Sequence, residues 1–304
     1  MNYSEIGKNI KELRKTIGLT QGDLADGICT QALISRIEKG DIYPSATVLY
    51  EISQKLGVDI NYFFEIGTTP RLDYVKEVER QLKIARRKLQ YEEMIEIVSI
   101  EEKNSLFRLN KKNLQLLYWH KGIYQYENEN DMNSSLLTLN QALLLTADNS
   151  KAWSEREIEI LLTIGAIQFK ENHLTSALDN YNKIRSYLNK NPHLQDITIM
   201  TRLFYNISRV YTRLENYKES IIYCKKGINW CIKNEHLFLL AQLHYQIGYN
   251  YELQSDFINS VSHLKQAQLI FRLQQNTKHK KFIESKIEEI VKNIEVVDTI
   301  RSKI

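Results

Sequence analysis

The sequence predicts an all-α protein, and three observations carry that prediction. Only three prolines and eleven glycines punctuate 304 residues, and alternating β-branched runs are scarce. Helix start and stop signals follow one another at short intervals through the first 65 or so residues. Behind them the chain repeats itself at intervals of 40–43 residues, a spacing typical of stacked helical hairpins. A hydrophobic fraction of 43% and a charged fraction of 26% are ordinary for a globular chain long enough to bury a sizeable core.

In the first part, Ser4 is placed to cap a first helix with Ile6, Ile10, Leu13 and Ile17 on its apolar face, ended by Gly18. Thr20 with Asp23 three residues later approximates a capping box for a short second helix whose inner side is Leu24 and Ala25. A third helix runs from Thr30 to Lys39 and closes at Gly40. It turns Leu33, Ile34 and Ile37 inward and Thr30, Gln31, Ala32, Ser35, Arg36 and Lys39 outward. Pro44 and Ser45 open a fourth helix ended by Gly57, and Asp59 caps a fifth whose Tyr62, Phe63 and Phe64 close a small core.

Five helices in this order resemble the Cro/lambda-repressor, or XRE-type, helix-turn-helix family. The matching residues are Gly18-Leu19-Thr20-Gln21, Leu24-Ala25, Ile34-Ser35-Arg36-Ile37-Glu38-Lys39-Gly40 and Pro44-Ser45. One departure is the turn, which reads Ile28-Cys29-Thr30 where many members have Gly-Val-Ser and is one residue shorter. The resemblance implies that residues 1–66 bind double-stranded operator DNA with the third helix in the major groove. Gln31 is the residue suited to bidentate pairing with adenine. Thr30 and Ala32 suit a thymine methyl or a phosphate, Ser35 and Arg36 backbone or base edges, and Lys39 a phosphate. In the family the glutamine at the Gln21 position opens the second helix and touches phosphate. Two readings stay open: Arg36 instead pairs with Glu38 or Asp41, and Gln21 only braces the turn. Glu38 is read as structural, since phosphate repels a carboxylate.

The charge distribution limits the argument from electrostatics. The whole chain is +4, yet residues 1–66 hold seven basic and nine acidic side chains. Such a domain is no general polycation, so DNA affinity must come from geometry and from pairing two copies. Residues 67–71 read as a linker. The helix after it carries seven Lys/Arg against three Asp/Glu over residues 71–90, which makes either a solvated face or a surface near DNA or an acidic ligand.

Residues 72–304 align on small residues, Gly122, Gly165, Ser208 and Gly248. Ser134, Ala177, Ser220 and Ser260 follow twelve positions later. This pattern resembles the tetratricopeptide (TPR) repeat, in which small residues let paired helices approach. The fold expected is thus an N-terminal five-helix XRE-type helix-turn-helix domain followed by a TPR-like α-solenoid of about five repeats. A degenerate repeat falls at 72–106 and a C-terminal capping helix near 278–297. Spacing from the markers puts Trp119, His120 and Ile123, then Leu162, Thr163 and Ala166, then Tyr205, Asn206 and Arg209, then Tyr245, Gln246 and Tyr249 on the concave face. Aromatic pockets beside carboxamides suit an extended peptide. The alternative is that these side chains pack between helices.

A helix-turn-helix followed by such repeats resembles the RNPP family (Rap, NprR, PlcR, PrgX), and within it the PlcR-like branch. The short Ile-Cys turn, the Ser-Arg-Ile-Glu run and the Tyr-Asn and Tyr-Gln pairs at 205–206 and 245–246 carry this. The resemblance implies a quorum-sensing transcription regulator, a homodimer whose DNA binding responds to a short signalling peptide in the groove. Matching the family's peptide contacts supports Asn206 and Gln246 and adds Arg87 and Phe282. Leu162 and Ala166 stand where a PlcR-like protein would offer an asparagine, so the peptide should differ. The alternative within the family is a Rap-like adaptor that binds and inhibits a partner protein.

Other classes find little support. No phosphate loop, nucleophile motif or metal-spaced His/Cys cluster is apparent, and neither enzyme activity, metal nor cofactor is expected. No apolar run approaches the roughly 18 residues of a membrane span. The N-terminus is amphipathic without a signal peptide's apolar core, so a cytoplasmic protein without membrane contact is expected. Cys29, Cys224 and Cys231 form no disulfide pattern and read as small buried hydrophobes, with a redox or metal role the other reading.

Overall fold

The structure of the protein, a computed structural model, describes residues 3–69, 71–146, 152–191 and 194–301. Among these every regular element is a helix, and the chain divides into two compact units, Met1–Ala147 and Asp148–Ile304.

The first unit begins with α1 (Tyr3–Ile17), α2 (Gln21–Ala25), α3 (Gln31–Lys39), α4 (Ala46–Leu56) and α5 (Ile60–Thr68). Their boundaries follow local chemistry. Thr20 and Asp23 form a reciprocal capping box, and Thr30, Ser45 and Asp59 each accept a backbone N–H at a helix start. Gly40 and Gly57 end their helices in the left-handed conformation. Ile6, Ile10, Leu24, Ile34, Ile37, Leu49, Ile52 and Phe63 are fully buried in one core. Each such side chain contributes about 1.5–3 kcal/mol relative to exposure.

Three local expectations change. The first helix is already under way at Tyr3, so Ser4 lies in its first turn rather than capping it. Ile17 is half exposed, because the buried stripe of α1 continues through Arg14 instead. The polar break after the fifth helix shrinks, since α5 runs through Gly67 and Thr68.

The basic segment forms α6 (Leu72–Lys88), which buries Val75, Val78, Leu82 and Ala85 and pairs with α7 (Tyr91–Glu101). A single-turn helix, α8 (Ser105–Arg108), leads into the hairpin of α9 (Lys111–Glu127) and α10 (Met132–Thr146). A cleft of about 480 Å³ opens among α1, α5 and α6, where Glu5, Glu12 and Asp73 are balanced by Lys8, Arg71 and Lys76.

The described residues of the second unit form three hairpins and a final helix: α11 (Glu155–Lys170) with α12 (Leu174–Lys190), α13 (Thr198–Arg213) with α14 (Tyr217–Lys233), α15 (Leu240–Leu253) with α16 (Phe257–Leu273), then α17 (Thr277–Arg301). Helices α11, α13 and α15 also contact one another in sequence, which is the inner layer of a solenoid.

The small residues do what their spacing predicts. A Cβ on Gly165 would lie 2.5 Å from the Tyr181 ring, and one on Gly248 would lie 2.9 Å from Leu264. Ala177, Ser208, Ser220 and Ser260 are fully buried opposite. The first aligned hairpin departs by one residue. There Ser135, not Ser134, is buried and donates to the Gly122 carbonyl at 2.6 Å, because Ser134 is held by Asp131 at the start of α10. Cys224 and Cys231 are buried free thiols, and burial pushes the Cys224 thiol up to about 12. Cys29 is only half-buried, at the margin of the first core, because it sits in the turn that opens α3.

Candidate functional site

Two surfaces carry the residues singled out in the sequence. In the first unit, Thr30, Gln31, Ala32, Arg36 and Lys39 are exposed on α3, and Ser35 is half-buried. The Thr30 hydroxyl oxygen accepts the Leu33 N–H as the helix cap, which fixes the start of α3 and leaves its proton for a partner. Arg36 and Lys39 make no ion pair among the described residues. Their face is therefore an array of unengaged donors.

What orients this face lies beneath it. Arg14 donates to Glu38 through Nε at 2.5 Å and Nη2 at 3.0 Å, and to the Leu19 carbonyl through Nη1 at 2.6 Å. Gln21 donates to the same Glu38 carboxylate at 2.8 Å. This buried network ties α1, the start of α2 and α3 together. Burial alone would push the Glu38 carboxyl up, but hydrogen bonds from Arg14 and Gln21 and the charges of Arg14 and Lys11 outweigh it and hold it low. Glu38 thus pairs with Arg14 rather than Arg36, and the Gln21 amide braces the turn. Arg14 was missed as a core residue, although it falls on the stripe of Ile6 and Ile10 at helical spacing.

The second surface is a strip across the inner helices of the second unit. The Arg209 guanidinium lies over the Phe169 ring at 4.4 Å and near the Tyr205 ring at 5.6 Å. Tyr245 and Tyr249 stack at 6.2 Å with planes 7° apart. The Phe282 ring sits 5.9 Å from Tyr245, and Lys286 reaches the Tyr249 ring at 5.7 Å while pairing with Glu252. All of these side chains except Phe169 are half-buried or exposed. Burial raises the phenol of Tyr245 to about 12, and that of Tyr205 also rises, mainly from burial, although Arg209 opposes it. The strip is therefore largely aromatic, with Arg209 near one end and Lys286, neutralised by Glu252, near the other.

Its two carboxamides differ. Asn206 is half-buried and makes no hydrogen bond to a described residue. Gln246 is only 6% exposed, and its Nε2 donates to Thr212 Oγ1 at 2.7 Å. Thr212 in turn bonds Asn250 and Ser220, so Gln246 belongs to a buried knot between α13, α14 and α15.

Other expected groove residues also lie elsewhere. In the first unit Trp119 is 3% and Ile123 7% exposed, because α9 is packed between α10 and α7 and also contacts α6. Trp119 is covered by the Arg86 guanidinium at 4.2 Å, with the His120 ring at 4.9 Å. Arg87 points to solvent, so Arg86 is the cation that meets this repeat. In the second unit Leu162 is buried in the core with Tyr181 and Leu203. Phe169 and Lys286 were not foreseen, since neither falls at a marker-related position. Among the described residues no group of three or more His, Cys, Asp or Glu could hold a metal, and no helix is long and apolar enough to cross a membrane.

Comparison with known proteins matches residues 10–63 to a helix-turn-helix family and residues 79–291 to the RNPP family C-terminal domain. No curated protein sequence matches the chain. Among solved structures, Bacillus thuringiensis PlcR in complex with the peptide PapR7 and DNA aligns with a TM-score of 0.81 at 23% identity, covering 92% of this chain and 99% of that one. ComR from S. thermophilus with DNA and its signalling peptide ComS gives 0.62 at 14% identity over 94% and 99%. The Streptococcus dysgalactiae SHP pheromone receptor Rgg2 gives 0.61 at 15% over 94% and 99%. These likenesses establish a shared fold. With the C-terminal domain of that family covering most of its length behind a helix-turn-helix, the chain belongs to the RNPP family.

Proposed function

We propose that this protein is a peptide-responsive quorum-sensing transcription regulator that binds operator DNA as a homodimer. The observation that carries the reading is one chain holding both an exposed α3 face of unengaged donors and a largely aromatic strip with an open carboxamide at Asn206. PlcR was solved with the peptide PapR7 and DNA, and ComR with DNA and its signalling peptide ComS, which supports the same pairing of ligands here. Gln31, Arg36 and Lys39 supply base and phosphate contacts, with Thr30, Ala32, Ser35 and Gln21 around them. Tyr205, Asn206, Arg209, Tyr245, Tyr249 and Phe282 supply the peptide contacts.

The net acidic charge of residues 1–66 makes a single domain a weak binder, so two copies on successive half-sites are needed. Peptide shifts the dimer between two arrangements only by its differential affinity for them. No catalytic step enters this function.

The test is fluorescence anisotropy of the full chain on DNA from its own promoter region, with and without short peptides encoded beside the gene. Affinity should change at saturating peptide. Unchanged affinity defeats the switch. A partner protein that competes with peptide would favour the Rap-like adaptor instead.

A further inference from the structure

Among the half-buried or buried cations of the described residues, Arg185 donates to the Tyr223 hydroxyl and several others hold carboxylates, whereas Arg209 does neither. Arg14 holds Glu38, Arg202 holds Glu159 and Asp196, Lys121 holds Glu102, and Lys286 holds Glu252. Arg209 holds no carboxylate among the described residues. Its contacts are the rings of Phe169 at 4.4 Å and Tyr205 at 5.6 Å, which do not use its N–H donors. A second guanidinium, Arg213, lies one helical turn on at 5.6 Å from the same Phe169 ring, anchored by the Asn172 side-chain carbonyl at 3.0 Å. Two arginines bracketing one ring place like charges close together, and no described acidic side chain on α11, α13 or α15 pairs with either. The rest of the strip, from Tyr205 through Tyr245 and Tyr249 to Phe282, is aromatic.

We infer that Arg209, assisted by Arg213, is a carboxylate subsite, and that the cognate peptide is acidic at one end of its bound stretch and aromatic or apolar toward Phe282. This rests on the peptide-binding reading above and adds the ligand's chemistry to it. Preorganisation is the physical reason. A guanidinium resting on one ring with a second nearby loses little freedom on binding, and its fork matches a carboxylate in two hydrogen bonds. The half-buried site weakens competition from water, so charge selection is strong there. Asn206, one turn back on α13, is open to bond the backbone beside that carboxylate.

The experiment uses the full chain and a positional-scanning library of fluorescein-labelled heptapeptides, in free-acid and C-terminally amidated forms, read by anisotropy. Pools fixing Asp or Glu at one position should bind roughly tenfold tighter than the matching Asn or Gln pools. Arg209→Gln should abolish that preference while keeping the preference for aromatic residues elsewhere, which also shows that the variant is folded. Arg209→Lys should retain part of it. If the acid preference appears only as a difference between free-acid and amidated libraries, the carboxylate read is the peptide's C-terminus. Binding without any acid preference, or a preference untouched in Arg209→Gln, overturns the inference and leaves peptide binding standing. Failure of every pool to bind removes the peptide reading and this inference with it.

Discussion

Arg14 and Arg209 are both taken partly out of water, and they are treated in opposite ways. Arg14 gives three of its donors to Glu38 and the Leu19 carbonyl, and the assembly it closes sits under α3. Arg209 contacts only aromatic rings and gives its donors to no described residue. The difference separates scaffold from site. In the helix-turn-helix region the charges are satisfied below and the surface side chains of α3 are left free. In the solenoid the free charge is itself half-buried, so the site and the packing share residues. Perturbing each region tests whether this division holds.

The largest effect is expected from Glu38→Ala. It leaves Arg14 buried without its counter-charge, and breaking such a pair costs about 3–5 kcal/mol. Native domains are stable by only about 5–15 kcal/mol, so the helix-turn-helix should melt or lose its order. Urea unfolding monitored by hydrogen exchange should place the loss in residues 1–66. A loss under about 1 kcal/mol would mean the pair is not structural.

Acid separates the regions by window. His244 and His263 face each other across α15 and α16 with their Nδ1 atoms 3.3 Å apart, a spacing that admits one shared proton. Burial first, then the charge of His263, pushes His244 down to about 4, while burial and Lys225 lower His263. A histidine that is neutral when folded contributes fully above its unfolded value near 6.5 and loses that contribution as pH falls toward 4. Glu38, held below its ordinary 4.5, contributes fully above that value and loses its contribution only as the pH falls from there through the lowered one. The solenoid should therefore lose about 1–3 kcal/mol between roughly pH 6.5 and 4, before residues 1–66 respond. Exchange that rises first in α1–α3 on acidification would reverse this order. His244→Asn should flatten the solenoid's part of the profile.

How these regions show themselves in the sequence differs for the same reason. Caps and stops in the first five helices are local chemistry, so Thr20, Ser45, Asp59, Gly40 and Gly57 could be read directly, while Thr30, read as the first residue of the third helix, is its cap. The α3 face was legible too, because a short amphipathic helix has an unambiguous outside. Arg14 was not, since its partner is 24 residues away and an arginine in a basic run looks solvated. In the solenoid the small-residue markers gave the hairpins. The face of any one side chain also depends on how neighbouring hairpins pack. Asn206 and Gln246 occupy equivalent positions, yet Thr212 captures only Gln246. Ser134 and Ser135 show that one residue of slip changes which serine is buried.

Gly165→Ala probes that packing with a smaller effect. The added methyl would meet the buried Tyr181 ring at 2.5 Å, and overpacking of this kind costs about 1–3 kcal/mol. Helix propensity returns about 1 kcal/mol of it. The melting temperature should fall modestly, and the shifted Tyr181 should disturb Phe169 and Arg209 through the shared cluster. Peptide affinity should drop with DNA affinity in the absence of peptide unchanged. An alanine variant as stable as the parent would show that the hairpin has slack.

The smallest effect on stability, and the sharpest on function, is expected from Arg36→Ala combined with Lys39→Ala. Both side chains are exposed and unpaired among the described residues, so unfolding should move by no more than about 0.5 kcal/mol. Replacing one phosphate-binding cation by alanine lowers the slope of log affinity against log salt by about 0.9. Replacing both should therefore flatten that slope by nearly two on operator DNA, while a base-reading role for Arg36 would add a sequence-dependent loss of about 1–3 kcal/mol. Comparing operator with scrambled DNA distinguishes the two roles, because removing a phosphate-binding cation weakens both equally. An unchanged slope on both would show that α3 does not face the duplex, and the contrast between a satisfied scaffold and a free recognition face would then fail where it is most exposed.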